Sequence, residues 1–448
     1  MGDALMSRTL TAAEEAYVFY HLRHFVKCDA RIEEIVRWPR TSSGIVEDFV
    51  IEGVPVLCPG EGRRGEAYVV EDGEVVVCHD FVRSAFVLLS GWQEWVAKER
   101  DKWGRYAYTG SLQDRLGVIH KPIVNYYFEW MVGAICRQCE IKGIRCERVA
   151  PLGGASLHLS HDVDLAHYYT WRKTLYRVAQ VVGVRKCDTN RWRLAKAAFR
   201  SLLNMTGLRH DKDPYWSFDT IQDNEAYIGF KSEWFFLDND GGPFSPDYDV
   251  TSDPQIWAVM KQLAERGNRV GAHAPINCKR AEDYEQLMRK IAAVCPSITH
   301  NVRQHFLAIE PTKTYAEMER AGVETDYSYG YSTHEGFRNS YCFPFHPFDH
   351  DGQRMMGITV VPLAMMDTTV LTHRGLSYDE IFLAAGEMLD EVRRFGGVFS
   401  LLWHNNTFDE TYHPGINKFY EDLHLLFSQY QMRDFNVRGR CSANVSAC

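Results

Sequence analysis

The sequence predicts an α/β protein: a distorted β/α barrel of about seven strands over residues 151–448, preceded by a smaller α+β domain over residues 1–150. Three observations predict it. Apolar strand-like runs alternate with amphipathic helical stretches over the last two-thirds of the chain, the pattern of a parallel sheet with helices outside. Polar residues fall repeatedly at the carboxyl ends of those runs. A chain of 448 residues is too long for one ordinary core, so two domains are expected.

Within the first 150 residues a helix is expected over Ala12–Val26. Short β-like runs follow at Asp48–Ile51, Val54–Cys58, Tyr68–Glu71 and Glu74–Cys78, separated by Gly and Pro as hairpins require. A long helix is expected over Asp80–Glu99, and no catalytic constellation stands out in this part. Pro151, Gly153 and Gly154 break the pattern and mark the expected boundary. Beyond it the strands are expected at Ser156–Ser160, Lys231–Leu237, Arg269–Ala272, Ile298–Arg303, Glu324–Tyr327, Gly357–Pro362 and Val398–Trp403. Helices are expected at Pro254–Arg266, Ala281–Val294, Thr312–Ala321, Tyr378–Phe395 and Ile416–Tyr430. Such a run of β–α units suits a closed or nearly closed barrel.

Composition narrows the function class. With 45% hydrophobic and 24% charged residues the chain reads as globular, and 13% aromatic content excludes wholesale disorder. A net charge of −9 argues against a general nucleic-acid binder, so no nucleic acid is expected as a partner. The first residues show neither the apolar core nor the cleavage site of a secretory signal, and runs such as VVPLAMM are too short to span a bilayer. A cytoplasmic location with reduced thiols is therefore expected for the twelve cysteines. Cys136 and Cys139 form one C-x-x-C, with Cys146 nearby. No second ligand pair is evident in the sequence, so these read as small buried hydrophobes rather than as a structural zinc site.

The chemistry lies at the strand ends. Asp162 and Asp164 follow the first expected strand, and His273 follows the third. Arg303 ends the fourth, Asp326 lies at the fifth, Asp367 just beyond the sixth, and His404 ends the last. In a β/α barrel these ends converge on one face. In LSHDVD the two aspartates are two apart and point the same way from extended chain. Two such carboxylates repel unless a cation or an arginine compensates them, which suits one metal ligand and one general base. Alone, D-x-D would favour a helix cap. In GAHAPIN, His273 and Asn277 are four apart and share a face if the chain turns into a helix there. In SLLWHNN an apolar strand delivers His404, which can donate a proton near neutral pH to a departing amine.

These residues, in this order, resemble the polysaccharide-deacetylase superfamily (NodB-homology, carbohydrate esterase family four) over about residues 156–410. The resemblance is closest to a bacterial branch whose first motif reads H-D-V-D, as in His161–Asp164. The segment from VRQHF to PFHPFD and the string PLAMMDTTV are similar to that branch too. FVLLSGWQEW and KPIVNYY are similar to its accompanying N-terminal domain. The resemblance implies a NodB-type barrel and a metal-dependent carbohydrate N-deacetylase, a hydrolase of non-peptide C–N bonds. It implies Asp162 as general base, Asp164 as first metal ligand and His273 as a histidine ligand. Arg303 would steady the base, His404 would be the general acid, and Asp367 would orient that histidine. The ion implied is zinc, with cobalt or nickel also suited to a mixed O/N site. Where the family's second motif supplies a second histidine, this chain has Asn277, whose carbonyl is the candidate ligand.

Between the first two motifs, Leu165–Lys212 carries Arg172, Lys173, Arg177, Arg191, Arg193, Lys196 and Arg200 among apolar residues. It reads as a helical pair with solvated basic faces. The sharper expectation is contact with a phosphate-bearing carbohydrate substrate or a peripheral contact with an anionic membrane. Three readings stay open: an amino-sugar N-deacetylase, a hydrolase of another non-peptide C–N bond at the same metal site, and a carbohydrate-binding homologue without catalysis.

Overall fold

In the computed structural model, which describes residues 8–42, 44–62, 64–186 and 189–435, the chain divides into two units. Among the described residues, one comprises those of 8–157, 279–282 and 306–400; the other comprises those of 158–278, 283–305 and 401–435. The segment 1–150, expected as a domain of its own, lies in the first unit together with 306–400.

In the first unit, Thr11 starts the helix Ala12–Leu22. Its hydroxyl accepts from the Glu14 amide while the Glu14 carboxylate accepts from the Thr11 amide. This helix is shorter than expected, because the chain tightens over Arg23–Phe25 and then extends as Val26–Cys28, antiparallel to Cys146–Arg148. The long helix expected over Asp80–Glu99 is two helices, Phe81–Leu89 and Trp92–Val96. Gly91, at φ +68°, turns the chain between them. The hairpins Val50–Ile51/Val54–Pro55 and Tyr68–Glu71/Glu74–Val77 form where the turn residues placed them. Helix α1, Ile123–Lys142, was not expected. Most of its residues are buried, so its sequence shows no clean polar face to betray the helical period. Thr325–Asp326 and Thr359–Val360 pair in parallel, and Met365–Met366 is a short strand that no sequence signal announced.

The second unit holds the strands that carry the polar residues. They are β1 (Ser156–Val163, which enters this unit at His158), β2 (Ser232–Leu237), β3 (Arg269–Ala274) and β4 (Asn301–Gln304). They lie in the order β4-β3-β2-β1, all parallel. The end of β5 (Val398–Leu402) runs beside β1, where the Trp403 amide donates to Ser160 O at 2.9 Å. Every residue of β1 and β2 is buried. β2 ends in the continuous apolar run WFFL, whereas β1 reads SLHLSHDV, so its Ser, His and Asp side chains must find partners inside the protein. The mixed α/β class with parallel strands is therefore observed. After β1 the chain forms helices α2 (Trp171–Val181) and α3 (Arg191–Met205), the helical pair expected between the motifs.

Polar groups occupy two levels of this sheet. At the amino ends, Glu233 of β2 accepts from Asn301 at 2.6 Å and Thr299 at 3.1 Å, and it faces Arg269 at 3.3 Å and His158 at 3.5 Å. Every member of this level is paired, and all but the half-buried Arg269 are buried. At the carboxyl ends lies a second level whose pairing is incomplete. Among the described residues, no helix is long and apolar enough to cross a membrane.

Candidate metal centre

β1 is extended through Val163, so Ser160, Asp162 and Asp164 project to one side. Their common partner confirms it: Arg303 of β4 donates to Ser160 Oγ at 2.9 Å and to Asp162 Oδ1 at 3.3 Å. The guanidinium has no solvent exposure and rests over the Phe235 ring at 4.7 Å. A buried cation of this kind persists only when paired, and Asp162, itself almost fully buried, supplies the counter-charge.

His273 is the lateral neighbour of Arg303, its Cα partner in the β3–β4 register. Its Nδ1 lies 2.9 Å from Arg303 O. A carbonyl only accepts, so Nδ1 carries the hydrogen and Nε2 presents its lone pair to the strand ends. There Nε2 stands 3.2 Å from Asp164 Oδ1 and 3.4 Å from Asp162 Oδ2. Neither His273 Nε2 nor Asp164 Oδ1 has a hydrogen-bond partner, although both atoms are buried. His305, two residues past Arg303, brings its Nε2 to 3.6 Å from Asp164 Oδ2. The two imidazoles meet edge to face with centroids 5.1 Å apart. One ligand atom from each of Asp164, His273 and His305 lies within 4.8 Å of the others. His404, just after β5, places Nε2 3.7 Å from Asp164 Oδ2 and 4.0 Å from Asp162 Oδ2.

The loop carrying Asp164 is fixed on both sides. The Tyr248 hydroxyl donates to Val163 O and accepts from the Leu237 amide, tying the ends of β1 and β2 together. Asp247 accepts from the Ala166 and His167 amides, and Asn405, beside His404, donates to Leu165 O at 2.8 Å.

Electrostatics points the same way. Burial would raise the Asp164 carboxyl, but His305, His273 and His404 outweigh it and hold it well below the usual carboxylate range. Burial would lower the His273 imidazole, but Asp162 and Asp164 hold it above its ordinary value. The two carboxylates thus draw positive charge to the point that His273 Nε2 faces. One carboxylate and two imidazoles, with two orphaned ligand atoms facing each other, form a donor set that a divalent metal ion would fit. Three protein ligands also leave room for a water or substrate oxygen, as catalytic sites require.

Of the residues singled out in the sequence, Asp162, Asp164, His273, Arg303 and His404 come together here. Asn277 does not join them. The chain turns after Pro275 instead of continuing as a helix, so the condition for sharing a face with His273 is not met. Its exposed amide donates to Asp240 at 2.9 Å. His305 was not singled out, though it sits two residues beyond Arg303 and projects from the same edge. Asp367 lies in the first unit, fully buried, where its carboxylate accepts from the Thr368 amide at 2.7 Å. Asp326, in that unit too, accepts from Ser328 and Tyr315.

Comparison with known proteins adds little beyond this geometry. Residues 14–140 match a family described only as of unknown function (DUF7033). No curated protein matches the chain. A solved structure from Mycobacterium smegmatis, described as a polysaccharide deacetylase, aligns over 63% of this chain and 94% of its own at 8% identity and a TM-score of 0.37. A carbohydrate esterase family four pseudoenzyme from Bacillus anthracis aligns over 64% of this chain and 66% of its own at 11% identity and a TM-score of 0.27. At these scores the likeness carries no functional statement.

Proposed function

We propose that the chain is a metal-dependent hydrolase that removes an N-acetyl group from an amino-sugar-containing carbohydrate, on a distorted β/α barrel. The observation that carries this reading is the orphaned pair His273 Nε2 and Asp164 Oδ1, set beside a second carboxylate, Asp162, and a second-side imidazole, His404. Asp164, His273 and His305 would hold the ion. When bound, it would polarise the acetyl carbonyl and acidify a water molecule.

The chain's own residues do the rest. Arg303 engages Asp162 Oδ1 and leaves Oδ2 toward the histidines, where it can accept the proton of an attacking water. The water oxygen bonds to the acetyl carbon, and the C–N bond then breaks. His404 donates its proton to the departing nitrogen, so the products are acetate and a free amine. A binding module would have no use for a base, an arginine that steadies it and an acid at one point. The test is acetate release from a panel of N-acetylated sugars, including phosphate-bearing and lipid-linked ones, by protein loaded with zinc or cobalt. Release by the parent and none by Asp162→Asn supports the reading; no release from any member favours the non-catalytic homologue.

The substrate side of this proposal draws on helices α2 and α3. Lys173, Arg177 and Arg200 are committed internally: Lys173 pairs with Asp247, Arg177 stacks on Tyr168 at 3.4 Å, and Arg200 bonds Asp211 at 2.6 Å. Arg172, Arg191, Arg193 and Lys196 stay exposed beside Trp171, Leu175, Trp192 and Phe199, each of which is at least 60% exposed. Exposed aromatic and aliphatic side chains interleaved with cations suit an anionic lipid surface. A lipid-linked carbohydrate presented at such a surface is the substrate class this arrangement favours.

A further inference from the structure

The first unit contains a second group of metal-type ligands, which shares no residue with the aspartates and histidines above. Cys28 and Cys146 are Cα partners across the antiparallel pair Val26–Cys28/Cys146–Arg148. Cys136 and Cys139 stand three residues apart on α1, hence on one helix face. The fold brings the two pairs together: Cys28 Sγ lies 3.6 Å from Cys139 Sγ, and Cys136 Sγ lies 3.4 Å from Cys146 Sγ. The sulfurs of Cys28, Cys139 and Cys146 lie within 4.8 Å of one another. The ligand that the sequence did not reveal, Cys28, is thus supplied by a strand near the amino terminus and completes a second pair with Cys146.

We propose that Cys28, Cys136, Cys139 and Cys146 form a structural site for one zinc ion. Zinc–thiolate bonds of about 2.3 Å set tetrahedral sulfurs about 3.8 Å apart, close to the 3.6 Å of Cys28–Cys139 and the 3.4 Å of Cys136–Cys146. Cys28, Cys139 and Cys146 form the compact group of three, and Cys136 joins as the fourth ligand through its contact with Cys146. The same separations are far above the roughly 2.05 Å of a disulfide, and all four thiols are free. Neutral thiols so crowded gain little from one another, whereas a divalent ion converts each to thiolate and sends one proton per sulfur to solvent. A tetrathiolate site carries excess negative charge, and the exposed cations Lys27, Arg137 and Arg145 each adjoin a ligand in sequence. The site would clamp the end of α1 to the strand pair. It stands independently of the proposed deacetylase activity.

The test uses the full chain under reducing, oxygen-free conditions, titrated with cobalt(II). A near-ultraviolet thiolate-to-cobalt charge-transfer band is expected, which the carboxylate–imidazole centre has no sulfur to produce. Cys28→Ser and Cys146→Ser should each lose the band and about one equivalent of zinc per chain, while Asp164→Ala keeps the band. Should the serine variants fail to fold, the parent alone decides. A parent with no such band overturns the site, as does peptide mapping that finds Cys28–Cys139 or Cys136–Cys146 disulfides in metal-free protein prepared the same way. Retention of the band in both serine variants also overturns it.

Discussion

His273 Nε2 and Asp164 Oδ1 face each other at 3.2 Å, buried, and neither has a hydrogen-bond partner. A buried imidazole and carboxylate at this distance share either one proton or one cation, and the proposed ion takes the place of that proton. Asp164→Ala and His305→Ala should therefore each lose the bound ion, whereas Asn277→Ala should keep it, because that amide is turned toward Asp240. Metal content after dialysis reads all three. Loss of the ion in Asn277→Ala, with retention in His305→Ala, would restore the asparagine as the ligand.

Much of this site was legible because β5 is an apolar run that ends abruptly in WH, and because HDVD closes the first strand-like segment after the Pro151–Gly154 break, so these polar residues had to lie at strand ends. His305 escaped notice because a family spacing of four drew attention to Asn277, while the useful spacing was the two residues between Arg303 and His305. The four-cysteine group was hidden for a different reason. Cys28 meets Cys146 only through a strand pairing that the sequence masked as the tail of a helix. Helix α1 was hidden by burial on nearly all sides.

Vesicle sedimentation tests the α2–α3 surface. The parent should bind vesicles containing anionic lipid and ignore neutral ones, and binding should weaken as salt rises. Trp171→Ala combined with Trp192→Ala should reduce binding without changing the metal content. Equal binding to neutral and anionic vesicles would remove the electrostatic part of the proposal.

In the first unit, Glu94 accepts from Arg338 Nε at 2.8 Å and NH2 at 2.6 Å, and from the Tyr329 hydroxyl at 2.9 Å. Both members of the ion pair are about 1% exposed. Removing one partner of a buried pair leaves the other charge stranded, at a cost of about 3–5 kcal/mol. Glu94→Ala should lower stability by that order in denaturant unfolding, and a loss below 1 kcal/mol would show the pair to be better solvated than its geometry implies.

Acid should weaken the fold through the amino-end network. Burial raises and His158 and Arg269 lower the Glu233 carboxyl, leaving it at about 2, so its contribution is present above the usual carboxylate range and fades as pH falls toward 2. Burial holds His158 down at about 4, so it stays neutral in the fold while the unfolded imidazole takes a proton from about pH 6.5 downward. Both effects reduce stability on acidification. The thermal midpoint should drop between pH 7 and pH 4, and less steeply in His158→Gln than in the parent. Identical pH profiles would exclude His158 as a source.

The division of roles between the two aspartates is the centre of the proposal, and one paired measurement tests it: metal stoichiometry and acetate release for Asp162→Asn beside the parent, on a substrate that the parent hydrolyses. A general base contributes ~100- to 10,000-fold. The expected result is a full complement of bound metal with turnover reduced by at least ~100-fold. Turnover close to the parent's, or metal lost as completely as in Asp164→Ala, would contradict the assignment of Asp162 as the base.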